Sequence, residues 1–190
     1  MGPSVVDLLA ELVSINSVNG SMRDGPGEGA IAEYVAAYGQ RCGAEVQVEE
    51  VLSGRPNVRL RLPSTYPTGG AAVRRLLLDI HLDTVPLDTM PDALTPRIER
   101  GRMWGRGACD TKASLAAALT ALSRLAESGL PRSAEIQLLC TVDEEYLKRG
   151  VIHAVTQGLT ADAAIVGEPT SLRPVIAHKG ALRWRLITIG

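Results

Sequence analysis

Apolar and polar positions follow two different periods along the chain, and these periods predict helices and strands that alternate. Helical spacing marks four segments, residues 5–13, 30–42, 111–129 and 150–158. Alternating or continuous apolar runs mark five strands, residues 44–52, 57–62, 75–82, 134–142 and 161–168. Ser4 and Asp7 form a variant of the capping box before the first helix, which we expect to end near Val13.

The order of these elements predicts an α/β fold with a mostly parallel sheet, because strands that alternate with helices build such sheets. The runs at 75–82, 134–142 and 161–168 are apolar throughout, so we expect these three strands to be buried on both faces. Residues 95–107 predict a hairpin that turns at Gly101, and residues 173–190 predict one or two further strands.

Composition narrows the class of protein. A chain of 190 residues with 45% hydrophobic side chains can bury one real core, which must be aliphatic because Phe is absent. The formal net charge of -1 gives no electrostatic argument for nucleic acid or an anionic membrane as a partner, and no apolar run is long enough to span a bilayer. Three scattered cysteines and the lack of a basic start before the first apolar stretch favour a cytoplasmic protein.

Six polar residues with metal-binding or acid–base chemistry lie in four short motifs. They are His81 and Asp83 in HLDTVP, Asp110 in GRGACDTK, Glu144 and Glu145 in TVDEEY, and Glu168 in GEPT. Each motif follows a predicted buried strand or opens the long helix. Since ligands bind beyond the carboxyl ends of the strands in such sheets, we expect the six side chains to converge. Carboxylates beside buried strands are costly unless their charge is compensated, which a pair of divalent metal ions would do.

Taken one at a time, the motifs have ordinary explanations. The His81 motif is compatible with a surface turn, Asp110 with the N-cap of the long helix, Glu144–Glu145 with a solvated acidic pair, and Glu168 with a loop. Their shared position after predicted strands favours a single site. Lys112 and Arg106, which flank Asp110, are interpreted as solvated charges, with tuning of Asp110 as the alternative.

Together the four motifs resemble those of the co-catalytic zinc metallohydrolases, the family of acetylornithine deacetylase, succinyl-diaminopimelate desuccinylase, aminoacylase and carboxypeptidase G. The similarity covers essentially the whole chain, and GRGACDTK and GEPTSLRP resemble the deacetylase and desuccinylase branch. The resemblance implies a three-layer α/β/α sandwich with a mostly parallel mixed sheet. It also implies hydrolysis, dependent on two metal ions, of an amide bond in an N-acyl amino acid or small peptide.

The resemblance further implies a role for each matched residue. It assigns metal binding to His81, Asp110 as the bridge, Glu145 and Glu168, general-base catalysis to Glu144, and ordering of the site to Asp83, by a hydrogen bond from the imidazole or otherwise. Two metal ions about 3.5–4 Å apart can polarise an amide carbonyl, and a carboxylate can move the proton of the attacking water. Carboxylate and imidazole ligands suit zinc, with cobalt and manganese as alternatives.

The chain also departs from the pattern of that family. Members are about twice as long, take the last histidine ligand of the second metal from near their C-terminus, and dimerise through an inserted lid domain. We therefore expect residues 1–179 to be the N-terminal part of the catalytic domain and 180–190 a strand leading into an absent lid. The full-length form would be a homodimer, and this chain would be incomplete for catalysis. His153 is predicted to be an ordinary surface residue of the short helix, and His178 a structural residue of a strand, with metal ligation as its alternative.

Three other functions stay open at this point. One is an aminopeptidase or dipeptidase of the same family. Another is a non-catalytic metal-binding fragment. A nucleotide-binding module is disfavoured, because the glycines near Gly27 and Gly105 follow loops and tight turns, whereas a dinucleotide fingerprint follows a strand.

Overall fold

A central five-stranded sheet organises the chain in the computed structural model, which describes residues 3–66, 72–177, 180, 184 and 186–189. The helices are α1 (Val5–Ser14), α2 (Gly29–Arg41), α3 (Lys112–Glu127) and α4 (Arg149–Thr156). The strands are β1 (Glu45–Leu52), β2 (Arg55–Leu62), β3 (Arg74–His81), β4 (Arg97–Glu99), β5 (Arg102–Trp104), β6 (Ala134–Thr141) and β7 (Ala163–Val166). The predicted alternation of strands and helices is confirmed.

The strands of the large sheet lie in the order β1-β2-β6-β3-β7. Strand β2 runs antiparallel to both of its neighbours, whereas β3 pairs in parallel with β6 and with β7. All the strands of this sheet except β2 therefore point the same way, which confirms a mixed, mostly parallel sheet. Strands β4 and β5 form the predicted separate hairpin, and Gly101 takes a φ of 74° at its turn.

Two apolar layers cover the two faces of the sheet. In β6, Leu138 and Cys140 belong to the main core, which α1, α2 and α3 also line. Between them, Leu139 points the other way and packs with Leu77 of β3 and Ala154 of α4. This alternation is the period-2 geometry of a strand buried on both faces. The result is the three-layer α/β/α arrangement that the family resemblance implied.

Helix α1 begins as its sequence predicts. The Ser4 hydroxyl accepts a hydrogen bond from the Asp7 amide at 3.2 Å, and the Asp7 carboxylate accepts one from the Ser4 amide at 3.3 Å. These reciprocal bonds satisfy two amides that the first helical turn would otherwise leave unpaired. Leu8 and Leu12, four residues apart, are then fully buried, and each stabilises the fold by roughly 1.5–3 kcal/mol.

Strand β7 is where the predicted burial is wrong. Ile165 and Val166 are 56% and 59% exposed, although they stand in a continuous apolar run. Among the described residues β7 pairs with β3 alone and so forms an edge of the sheet. An apolar run indicates a strand that is able to be buried, but burial itself depends on neighbours in space.

The last segment shows none of its predicted strand structure among the described residues. Residues 173–177 form no strand in the structure. His178 lies outside the described residues, as do several positions of the predicted strand at 180–190, so the prediction for that strand stays untested. No helix in the described ranges is long and apolar enough to cross a membrane.

Candidate metal centre

The predicted site residues meet at one edge of the sheet. His81 is the last residue of β3 and Asp83 follows it, while Glu144 and Glu145 come just after β6. Glu168 lies two residues beyond β7, and Asp110 directly precedes the first turn of α3. Because β3, β6 and β7 are parallel, their carboxyl ends lie side by side, which brings these segments together.

Three of these side chains form a compact cluster. Ligand atoms of His81, Asp110 and Glu145 all lie within 4.8 Å of one another. The His81 Nε2 atom lies 3.1 Å from Asp110 Oδ1 and 3.9 Å from Glu168 Oε1. All four residues assigned to metal binding by resemblance are therefore close together. Imidazole nitrogen and carboxylate oxygen are donors that fit a divalent ion such as zinc.

Backbone contacts fix the orientation of the His81 ring. Its Nδ1 atom lies 2.9 Å from the carbonyl oxygen of Asp83 and 3.6 Å from that residue's carboxylate. Donation from Nδ1 to the carbonyl leaves Nε2 directed at Asp110 and Glu168, the arrangement usual for a histidine that binds metal through Nε2.

The buried carboxylate of Asp83 holds the two glutamates through their backbone. It accepts hydrogen bonds from the amides of Glu144 and Glu145, both at 3.0 Å. The Asn19 side-chain amide donates a third bond at 2.6 Å. The closest contact of the imidazole is with the Asp83 carbonyl, so the Asp83 carboxylate orders the site mainly through the segment after β6.

The two neighbouring glutamates have different partners. A ligand oxygen of Glu145 lies in the cluster with His81 and Asp110, whereas Glu144 Oε1 lies 2.7 Å from Lys148 Nζ. Both glutamates lie in the turn after β6, and their different partners permit one carboxylate to face a metal while the other stays off it.

The pKa directions describe a concentration of negative charge. Burial raises the pKa of Glu145 and of Glu168, and the nearby charge of Asp110 raises both further against the opposing effect of His81. The hydrogen bond from His81 lowers the pKa of Asp110. Burial lowers the pKa of His81, but its carboxylate partners outweigh burial and raise it. Carboxylates that crowd one imidazole in this way favour a bound cation.

Two ordinary interpretations of the residues beside the cluster are wrong. Thr111, and not Asp110, is the N-cap of α3, and its hydroxyl donates to the Gly167 carbonyl instead of capping the helix. Lys112 is not a solvated charge, since it is only 1% exposed and its ammonium donates to the Ile15 carbonyl at 2.7 Å. Burial lowers the pKa of Lys112 to about 7.

No contact that the structure shows joins His153 to the cluster. It lies on α4, and its Nε2 atom is 3.3 Å from Glu49 Oε1 of β1. His153 is half-buried against the edge strand β1, so it is less exposed than the predicted surface position.

A buried polar network beneath the cluster was not predicted. Its members are Asn19, Glu28, Arg55 and Asp143, which are all buried. Arg55 hydrogen-bonds Glu28, Asn19 and Asp143, and Asn19 in turn bonds Asp83. No local pattern distinguishes these residues from the polar loop and turn residues around them, because every partner is distant in sequence.

Comparison with protein-family models and curated proteins identifies relatives. The model for "Peptidase family M20/M25/M40" matches residues 77–179. Acetylornithine deacetylase of Aliivibrio fischeri (strain MJ11) is 33% identical over 187 residues, which are 94% of this chain and 46% of that protein. A peptidase M20 domain-containing protein of Schizosaccharomyces pombe is 31% identical over 194 residues, 100% of this chain and 44% of that protein. The chain thus spans about half the length of the curated relatives it matches.

Solved structures share the fold. A tripeptidase from Staphylococcus aureus superposes with a TM-score of 0.68 at 27% identity, covering 85% of this chain and 42% of that one. Human carnosine dipeptidase 1 superposes with a TM-score of 0.72 at 21% identity, covering 85% and 37%. The family match extends over more than half of the chain and includes the segments that carry His81, Asp110, Glu145 and Glu168. The chain belongs to peptidase family M20/M25/M40.

Proposed function

We propose that this protein hydrolyses the amide bond of an N-acyl amino acid and that it uses two divalent metal ions, most suitably zinc. His81, Asp110, Glu145 and Glu168 would hold the ions. The observation that carries the proposal is the cluster of His81, Asp110 and Glu145 ligand atoms within 4.8 Å, with Glu168 3.9 Å from the same imidazole. Its position beyond the carboxyl ends of parallel strands supports a ligand site.

Each side chain would have a distinct task. Bound divalent ions would polarise the scissile carbonyl and make water more acidic. Asp110 has two carboxylate oxygens, and its ligand atom lies within 4.8 Å of those of His81 and Glu145, which suits a bridging ligand. Glu144 would take a proton from the attacking water and deliver it to the nitrogen of the leaving amine. Lys148, 2.7 Å from Glu144 Oε1, holds that carboxylate beside the cluster.

The relatives support an acyl amino acid as the substrate class. The acetylornithine deacetylase of Aliivibrio fischeri is 33% identical, and that of Proteus mirabilis is 30% identical. A peptide substrate is the second candidate, and the 27% identity to the tripeptidase from Staphylococcus aureus favours it. Both substrates contain an amide next to a carboxylate-bearing amino acid, so the same chemistry serves either.

A substrate panel tests the proposal. The zinc-loaded protein, expressed from its full reading frame, is assayed with N-acetyl and N-succinyl amino acids and with di- and tripeptides, and release of the free amine is measured. We expect hydrolysis of the acyl amino acids. Glu144→Gln should lower turnover by at least about 100-fold with zinc content unchanged, and Glu33→Gln on the exposed face of α2 should match the wild type. The proposal would be contradicted if the protein hydrolysed none of these substrates, or if Glu144→Gln kept full activity.

A further inference from the structure

A buried ionic network joins the start of α2 to the segment that carries Glu144 and Glu145. Glu28 precedes α2 but makes no side-chain capping bond, and it is fully buried. Its Oε1 atom instead accepts hydrogen bonds from the Arg55 guanidinium at 2.7 Å and from the Asp143 amide at 3.0 Å. A helix-start carboxylate is therefore used to hold the backbone after β6.

Asn19 extends this network to Asp83. Its amide nitrogen donates to the Asp83 carboxylate at 2.6 Å and to the Asp143 carboxylate at 3.2 Å. Its amide oxygen accepts a bond from Arg55 at 3.0 Å. Asp83 then accepts the amides of the two glutamates, so hydrogen bonds run without interruption from Glu28 to the predicted metal-binding segment.

Stability alone does not account for such a network. Ionic groups lose much of their hydration on burial, and apolar residues of the same volume are often as stabilising as a buried ion pair. The network does fix the position of the backbone near Glu145. Arg55 bonds to the side chain of Asp143 and Glu28 to its backbone amide, two residues before Glu145. Small shifts of this backbone would move Glu145 relative to His81 and Asp110.

We infer that Glu28 and Arg55 are positioning residues that set the backbone of residues 143–145, so that the Glu145 carboxylate meets the ligand atoms of His81 and Asp110. The inference rests on the proposed function. It concerns the charged pair beneath the site, and neither residue contacts the metal-binding side chains in any bond that the structure shows.

The experiment compares zinc affinity between variants of the protein expressed from its full reading frame, as in the substrate panel. The double variant Glu28→Gln/Arg55→Met removes both charges together and keeps most of the volume, and a competing chromophoric chelator reports zinc affinity. We expect affinity about 10–100-fold weaker than wild type, the usual effect of losing a group that orients a metal ligand. The loss should disappear in a Glu145→Gln background, because the carboxylate being positioned is already gone, and it should persist in a Glu168→Gln background.

A matched pair controls for the loss of an Arg–Glu interaction as such. Arg61 and Glu135 form an ion pair of 2.6 Å between β2 and the far end of β6, so Arg61→Met/Glu135→Gln should bind zinc like the wild type. Circular dichroism and thermal melting without metal establish that each variant is folded. If the double variant is unfolded, Arg55→Lys takes its place, since it keeps the charge but loses the forked bonds to Glu28 and Asn19.

The outcomes separate the inference from the function. A folded variant with wild-type zinc affinity, or an equal loss in the Glu145→Gln and Glu168→Gln backgrounds, overturns the inference alone. Failure of the wild-type chain to bind zinc overturns the proposed function and the inference with it.

Discussion

Replacing Asn19 by aspartate tests how closely the structure balances charge beneath the site. The Asn19 amide nitrogen lies 2.6 Å from one carboxylate oxygen of Asp83 and 3.2 Å from one of Asp143, and both bonds are buried. Asn19→Asp keeps the shape but puts an acceptor where the donor was. At an effective dielectric constant of 20, two unit charges at these distances repel by about 5–6 kcal/mol each.

Protonation of the introduced carboxylate limits that repulsion. Keeping a group of normal pKa near 3.9 protonated at pH 7 costs about 4 kcal/mol, at 1.36 kcal/mol per pH unit. The expected loss of unfolding free energy at pH 7 is therefore about 4 kcal/mol. For a chain of this length, that corresponds to a melting temperature lower by roughly 8–16 °C.

The stability of Asn19→Asp should fall as the pH rises. The carboxylates of Asp83 and Asp143 raise the pKa of the introduced acid in the folded state above its value near 3.9 in the unfolded chain. The variant therefore loses stability as the pH rises from about 3.9 towards the raised pKa. Urea unfolding at pH 5.5 and at pH 7 should show the gap between variant and wild type widening by about 2 kcal/mol. Asn16→Asp is the control, because Asn16 Oδ1 accepts a bond from the Val18 amide and its carboxylate replacement can do the same. Equal stability of Asn19→Asp and wild type at pH 7 would refute the reasoning.

Three further predictions concern metal, packing and pH. Zinc at 100 times its Kd should stabilise the fold by about 2.7 kcal/mol and raise the melting temperature by roughly 5–11 °C. A chelator should reverse this shift, and an unchanged melting temperature would count against a zinc site. Gly150→Ala places a Cβ 2.5 Å from the Val142 carbonyl oxygen and should lower the free energy of unfolding, measured with urea, by about 3 kcal/mol. A decrease of less than about 1 kcal/mol would contradict this prediction. Burial raises the pKa of Glu135, but hydrogen bonds from Arg61 and Gln137 outweigh burial and lower it. The wild type should therefore have a higher free energy of unfolding than Glu135→Gln. This difference should be complete above about pH 4.5 and should fade in more acidic solution. A difference that grows in acid would contradict this assignment.

Features that depend on local sequence could be predicted. The Ser4–Asp7 capping box, the hairpin at Gly101 and the alternating burial over residues 58–62 of β2 follow from residues that are close along the chain. In β1 the predicted alternation fails, because Val48 is exposed. The convergence of His81, Asp110, Glu145 and Glu168 could also be predicted, since the carboxyl ends of parallel strands share one edge of a sheet.

Features that depend on distant partners could not be predicted. Lys112 is buried because its ammonium reaches the Ile15 carbonyl 97 positions earlier, and Asn19 meets Asp143 across 124 positions. The polar or charged side chain of each residue, taken alone, predicts solvent exposure. The exposure of β7 has the same origin, because an apolar run carries no information about which strand or helix covers it.

Anomalous scattering from crystals of the zinc-loaded protein tests the central claim most directly, because it locates each ion. We expect zinc within bonding distance, about 2.0–2.2 Å, of Asp110 carboxylate oxygen, with His81 and Glu168 on one side of Asp110 and Glu145 on the other. Zinc bound elsewhere, with Asp110 outside the coordination sphere of every ion, would contradict the account.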